Sequence, residues 1–376
     1  MSADHKTRIL TVCGTRPEAI KLAPVVRMAL EDSRVAHRLC VTAQHRQMLD
    51  QVLALFRLAP DDDLDIMRPN QSLTDVTSAV LHGVGAVIEQ WKPDWVIVQG
   101  DTTTAFSAAL AAYYRQARVA HIEAGLRTGN ILSPWPEEGN RRLIGQIATV
   151  HFPPTEWAAD NLRRESFPEA MIQVTGNTVI DALHWVSAQL ADAPDDGRFA
   201  FLDPAKRMIL VTGHRRENFD GGLERVCRAL ATIAARGDVD IVYPVHLNPN
   251  VQQTAKAVLG DAPNVHLIPP QDYLPFVQLM QRSYLIVTDS GGIQEEAPAL
   301  GKPVLVTRDT TERPEAIEAG TARLIGTSAE ALISAVTELL DNSQAYAAMA
   351  QAKNPFGDGA ASGRIIDRLV KEWSGQ

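Results

Sequence analysis

The sequence predicts an α/β protein made of two doubly wound, Rossmann-like domains. Three observations predict it. Short apolar, β-rich runs alternate with amphipathic segments from residue 8 onward, and the alternation restarts at residue 208 after a polar stretch. At 376 residues the chain exceeds the roughly 100–200 residues usual for one domain. Glycine, acidic and basic residues gather at the ends of the apolar runs, where the carboxyl edge of an open parallel sheet binds ligands.

Residues 8–12 form the first strand, and Gly14-Thr15-Arg16-Pro17-Glu18 turns the chain into a helix over 19–30 with proline at its opening. Arg16 and Lys21 lie in this loop and first turn. Positive charge there opposes the helix dipole, so a bound anion explains both better than solvation does. A strand at 38–42 leads through Gln44-His45-Arg46-Gln47 to a second helix, and a polar loop surrounds Arg68. The helix over 73–91 contains Gly83-Val84-Gly85, which follows no strand and has no third glycine at position 88, so it is no dinucleotide fingerprint.

The strand 95–98 ends in Gln99-Gly100-Asp101-Thr102-Thr103-Thr104 before an Ala-rich helix, and Asp101 read alone is a helix N-cap. The strand 119–122 ends in Glu123-Ala124-Gly125-Leu126-Arg127, after which the proline-stiffened Ser133-Pro134-Trp135-Pro136-Glu137 enters another helix. Asp101, Glu123 and Glu137 thus fall at the ends of consecutive βα units. Such ends converge in a doubly wound sheet, and clustered carboxylates are costly unless they perform acid/base work. Strands at 149–152 and 172–174 complete this half.

A helix from residue 176 runs into the polar connector Ala193-Pro194-Asp195-Asp196-Gly197, which marks the passage between domains. The expected N-terminal domain spans 1–176 and the C-terminal domain 177–359, with a last helix in 360–376 packing back on the first. Strands of the second half fall at 208–212, 241–245, 265–268, 284–287 and 304–306. The first of these ends in Gly213-His214-Arg215-Arg216; a lone histidine is more often structural, but this one is flanked by cations at a strand's carboxyl end. Gln271 to Phe276 precede a helix and can supply the wall for a planar base.

After the strand 284–287, Asp289-Ser290-Gly291-Gly292 opens a helix whose backbone N–H groups, approachable because of the glycines, form an anion site. Glu296 can project back toward the same loop and accept hydrogen bonds from two neighbouring ribose hydroxyls. The next strand delivers residues 308–313, ending in Arg313, to the same edge. From the loop alone, an ordinary βαβ unit with a surface Gly-Gly turn reads equally well. The density of charged residues and glycines at strand ends favours a phosphate-and-ribose site.

A net charge of −9 argues against a nucleic-acid surface while permitting an anionic small ligand held by local Arg and Lys residues. Cys13, Cys40 and Cys227 are far apart, odd in number and without metal-site spacing, so buried free thiols in a reducing compartment are expected. No stretch approaches ~20 apolar residues, and the opening MSADHKTR is too polar for a signal peptide. A cytosolic protein without a membrane partner is expected.

Two Rossmann-like halves, with a nucleotide site on the second facing a cleft lined by the first, form the GT-B architecture. Within it GTRPEAIKLAPV, QGDTTTA, HIEAGLRT, PWPEEGNRR, GHRREN, PVHLNP, TDSGGIQEEAPALGKPVL and RDTTERPEA together resemble the non-hydrolysing UDP-N-acetylglucosamine 2-epimerases, across residues 8–326. The resemblance implies a GT-B fold, a homodimer, and reversible conversion of UDP-GlcNAc to UDP-ManNAc for surface polysaccharides, without a redox cofactor; no metal is expected either, because no His/Cys/Asp ligand spacing appears. By motif, Arg16 and Lys21 resemble contacts to the nucleotide sugar, Gln271 and Phe276 the uracil pocket, Ser290, Gly291 and Gly292 the phosphate loop, and Glu296 the ribose ligand. His214 and Arg313 would flank the diphosphate, and Asp101, Glu123 and Glu137 are similar to the family's acid/base carboxylates. Gln44, Gln47, Arg68 and His246 resemble a set that holds a second, activating UDP-GlcNAc, although solvated loop residues would read the same. Ala43 and Asn70 stand where many relatives are expected to carry glycine, and Trp135 replaces a smaller aromatic.

Overall fold

The computed structural model describes residues 6–43, 46–191, 196–213 and 221–374. Parallel strands covered by helices on both faces have no solvent side, so each is written as a nearly continuous apolar run. Twelve strands form among the described residues: β1 (Thr7–Cys13), β2 (Val35–Val41), β3 (Asp62–Asp63), β4 (Trp95–Gln99), β5 (Arg118–Ile122), β6 (Val150–Phe152), β7 (Arg207–Thr212), β8 (Val239–Pro244), β9 (Val265–Ile268), β10 (Leu285–Thr288), β11 (Val304–Val306) and β12 (Ala322–Leu324). They make two six-stranded parallel sheets, β3-β2-β1-β4-β5-β6 and β12-β11-β10-β7-β8-β9. Counted within its own half, each sheet has the order 3-2-1-4-5-6, the doubly wound order of a Rossmann fold. The order reverses between β1 and β4 in one sheet and between β7 and β10 in the other, and the carboxyl ends of strands at such a switch point are where open α/β sheets bind ligands.

The chain divides into two compact units, Met1–Trp185 with Phe356–Gln376, and Val186–Pro355. The expected boundaries at 176/177 and 359/360 stand beside these divisions at 185/186 and 355/356. The last helix, Ala361–Ser374, belongs to the first unit. There Asp181 accepts hydrogen bonds from the backbone N–H groups of Ser362 (2.8 Å) and Ala361 (3.3 Å) at the helix start, and Arg364 donates to the Thr175 carbonyl (2.9 Å). No helix among the described residues is long and apolar enough to cross a membrane.

Three expectations of the sequence reading need correction. Residues 172–174 do not form a strand: Ile172 makes only an isolated bridge to His151 beyond β6. The edge strands β3 and β12 were not expected, because a pair of aspartates and the short Ala-Arg-Leu segment carry no apolar run to announce them. The second sheet therefore has six strands where five were expected. Of the expected connector, residues 193–195 lie outside the described residues.

A cap fixes the helix that carries Arg16 and Lys21. Thr15 caps Arg16–Glu31 in a capping box with Glu18, whose Oε2 accepts from the backbone N–H of Gly14 (3.0 Å) and Thr15 (2.7 Å), while Thr102 Oγ1 donates to Oε1 (2.6 Å). Burial raises the Glu18 carboxyl, and these hydrogen bonds pull it back. One carboxylate thereby ties the loop after β1 to the loop after β4, across the switch point.

Candidate active site

In the first unit the site is built at the carboxyl ends of β1, β4 and β5. Glu123 follows β5 directly, is buried, and holds a left-handed backbone with φ of 61°. A side chain with a Cβ avoids that conformation at a cost of roughly 1–2 kcal/mol, so its neighbours must impose it. The Glu123 N–H donates to the Phe152 carbonyl (3.0 Å) at the end of β6. Its Oε1 accepts from Lys21 Nζ and from Asn177 Nδ2 (3.3 Å), and its Oε2 from Gln99 Nε2. Lys21 projects from the helix Arg16–Glu31 and pairs with Glu123, a candidate acid/base carboxylate. Arg16 opens the same helix and is half-buried.

Asp101 lies in the turn after β4, where Gly100 brings the backbone close to Glu123: a Cβ on Gly100 would stand 3.5 Å from Glu123 Oε2. Arg141 Nε donates to Asp101 Oδ2 (2.7 Å), and Asn140 Nδ2 to the Asp101 carbonyl (2.8 Å). Both come from the helix Glu137–Ile147, which Glu137 opens. Residues four apart share a helix face, so Glu137 is on the face that Arg141 turns toward Asp101. Glu137 Oε2 is buried without a hydrogen-bond partner among the described residues. The fold thus brings Asp101 and Glu123 together and aims the Glu137 helix at the same turn.

Two buried histidines underlie this cluster. His121 Nε2 lies 2.8 Å from the Gly100 carbonyl, and burial pushes the ring down to about 4. His151, its partner in register on β6, is pushed down to about 3 by burial. Both rings are therefore neutral at pH 7, and His121 donates to the Gly100 carbonyl.

In the second unit the described candidate residues gather at the carboxyl end of β10. The helix Gly291–Ala299 follows Ser290, whose side chain makes no capping bond, so the first backbone N–H groups receive no acceptor from the cap residue. The Arg313 guanidinium lies beside this helix start: a Cβ on Gly291 would be 3.8 Å from Arg313 Cζ. Glu295, buried, accepts from Arg313 Nε and so aims it. Glu296 Oε2 accepts from Tyr273 Oη (2.8 Å), and a Cβ on Gly292 would stand 3.7 Å from Glu296 Oε1, which keeps that carboxylate at the loop. Gln271 donates to the Pro269 carbonyl (2.7 Å), and half-buried Phe276 lies one turn along the helix Tyr273–Arg282. His214 lies outside the described residues.

Of the four residues assigned to a second ligand, Gln44 lies outside the described residues, as does the Gln47 side chain. Arg68 is exposed and donates to the carbonyls of Asp65 (2.9 Å) and Met67 (2.7 Å). His246 is exposed just after β8, and its Nδ1 accepts from the Asn248 N–H (3.1 Å). Ala43 and Asn70 both have left-handed backbones, with φ of 56° and 59°, which is the physical reason glycine suits those positions.

The sequence reading missed Gln99, Asn177, Arg141, Tyr273 and Glu295, all of which hold a candidate residue. Only Arg141 and Glu295 carried a local signal, in the charged strings PWPEEGNRR and GGIQEEAP.

Residues 28–370 match the family model described as UDP-N-acetylglucosamine 2-epimerase. The chain is 58% identical over 368 residues to UDP-N-acetylglucosamine 2-epimerase of Yersinia pestis, covering 96% of this chain and 98% of that protein. The crystal structure of UDP-GlcNAc 2-epimerase from Neisseria meningitidis bound to UDP-GlcNAc is similar with a TM-score of 0.89 and 49% identity, over 97% of this chain and 100% of that one. That from Methanocaldococcus jannaschii in complex with UDP-GlcNAc and UDP is similar with a TM-score of 0.78 and 35% identity, over 97% and 100%.

Proposed function

Because the chain belongs to the UDP-N-acetylglucosamine 2-epimerase family, we propose that it is a non-hydrolysing enzyme that interconverts UDP-GlcNAc and UDP-ManNAc. The observation that carries the reading is the carboxylate cluster of the first unit: Glu123, held by Lys21, Gln99 and Asn177 in a left-handed backbone beside the Asp101 turn. A glycosyltransferase with the same nucleotide loop has no need of it.

The hydrogen at C2 of the sugar is not acidic, since no carbonyl is adjacent, so direct deprotonation and reprotonation would be prohibitive. Elimination avoids this. A base takes the C2 proton, the C2–H electron pair forms the C1–C2 double bond, and the C1–O bond breaks with its pair going to UDP. The products are 2-acetamidoglucal and UDP; re-addition of UDP at C1 with protonation of C2 on the other face gives the epimer. Two faces require at least two proton-transfer groups, drawn from Asp101, Glu123 and Glu137. The departing diphosphate needs cations and N–H dipoles where charge grows, which Ser290 to Gly292, Arg313, Arg16 and His214 supply. Gln271 and Phe276 take the base, and Glu296 the ribose.

Incubation with UDP-GlcNAc alone in D2O tests this. UDP-ManNAc carrying deuterium at C2 is the expected product, with traces of UDP and 2-acetamidoglucal on long incubation. Complete retention of the C2 hydrogen would exclude an exchanging base, and stoichiometric UDP with free sugar would place the protein with hydrolysing enzymes.

We also propose that UDP-GlcNAc activates the enzyme through Gln44, Gln47, Arg68 and His246. An activator works by its differential affinity for the active state. Progress curves from highly purified UDP-ManNAc should then show a lag that added UDP-GlcNAc abolishes, and Arg68→Ala should lengthen it. Hyperbolic reverse kinetics with no lag would remove this site.

A further inference from the structure

One buried cation touches the carboxylate cluster from behind. Besides its bond to Asp101 Oδ2, Arg141 donates from Nη1 to Glu138 Oε2 at 2.9 Å, and its side chain is only 10% exposed. Glu138 is fully buried, and it also accepts from the Thr128 N–H (3.1 Å) and from Arg142 Nε (3.1 Å). Charge-assisted bonds thus run without a break from the loop after β5, through Glu138 and Arg141, to the turn after β4. Arg141 occupies only one oxygen of Asp101; no hydrogen bond engages Oδ1 among the described residues.

We infer that Arg141 is a positioning residue for the reaction proposed above, acting through Asp101; the inference rests on that reading. An aspartate carboxylate rotates in a broad, two-fold well about its last torsion. A donor fixed to Oδ2 removes that freedom and leaves Oδ1 as the oxygen presented to a substrate. A planar fork of donors serves Asp101 and Glu138 at once in fixed directions, which the rotating donors of an ammonium on a flexible stem do not fix. Because Glu137 opens the same helix one turn before Arg141, the same contact sets the distance between two candidate proton-transfer groups.

The test is a double-mutant cycle of Arg141→Lys and Arg141→Met against Asp101→Asn, with UDP-GlcNAc as substrate and thermal unfolding recorded for each protein. Each Arg141 variant should lower kcat by about 10²-fold, the cost of a misplaced catalytic group, with KM nearly unchanged. The double variants should be no slower than Asp101→Asn alone, since groups that act as a unit are not additive. Losses that multiply, near-normal kcat in Arg141→Lys, or an effect confined to KM and melting temperature would overturn the inference. If Arg141→Met does not fold, Arg141→Lys decides the matter. Absence of UDP-ManNAc from the wild-type protein would overturn the proposed function and this inference together, whereas multiplying losses in an active enzyme overturn the inference alone.

Discussion

Glu123→Gln should lower kcat by roughly 10²- to 10⁴-fold, the range of general acid–base groups, while KM for UDP-GlcNAc changes little. The amide is nearly the same size as the carboxylate, so the left-handed backbone at this position and the bond to the Phe152 carbonyl can survive the substitution. What it removes is charge. Lys21 loses the anion it touches, and the amide's NH2 turns a donor either toward the donors of Lys21 and Asn177 or toward that of Gln99. Removing one partner of a buried pair leaves the other uncompensated, which costs stability as well as rate. The side chain of Lys21 is 19% exposed, so water relieves part of that cost. Steady-state kinetics with thermal unfolding separate the two effects. A folded variant with near-normal kcat would remove Glu123 from the chemistry.

What the sequence disclosed and what it hid divide along the range of the interactions. Residues 73–91 were legible to both ends because Ser72 and Asp75 form a capping box and Lys92-Pro93 stops the helix. The strand Trp95–Gln99 was legible as a bare apolar run, whereas Asp62–Asp63 pairs with β2 only because the fold delivers it there. The same holds at the site. That Asp101 and Glu123 follow strand ends and Glu137 opens a helix is legible from the local pattern alone. That Lys21 closes on Glu123 across 102 residues, or Asn177 across 54, is a tertiary fact without local trace. Nor does any neighbour in sequence mark Glu123 as left-handed, since glutamate is not a residue that seeks that conformation.

Gly125→Ala should destabilise the first unit by about 4 kcal/mol or more, placing it among the most damaging single substitutions. Gly125 has φ of 89°, and a Cβ there would lie 2.2 Å from the carbonyl oxygen of Ala158, 2.8 Å from its carbon, and 3.2 Å from Leu162 Cγ. The obstacle is backbone of the helix Glu156–Arg164, which cannot rotate aside as a side chain would. The helix is in turn tied to this glycine, because Asn161 Nδ2 donates to the Gly125 carbonyl at 2.8 Å. Either the helix or the turn must move, and a moved turn carries Glu123, two residues away, out of reach of its donors. Gly129→Ala isolates the clash from the backbone strain. Its φ is 78°, yet nothing lies within 4 Å of the added carbon, so only the left-handed penalty of roughly 1–2 kcal/mol applies. In thermal unfolding Gly125→Ala should melt roughly 10 °C or more below the wild-type protein and well below Gly129→Ala. At temperatures where it is still folded, it should also lose kcat, which Gly129→Ala should retain. Equal melting temperatures for the two variants would show that the helix yields freely, and that the close approach at Gly125 does not hold Glu123 in place.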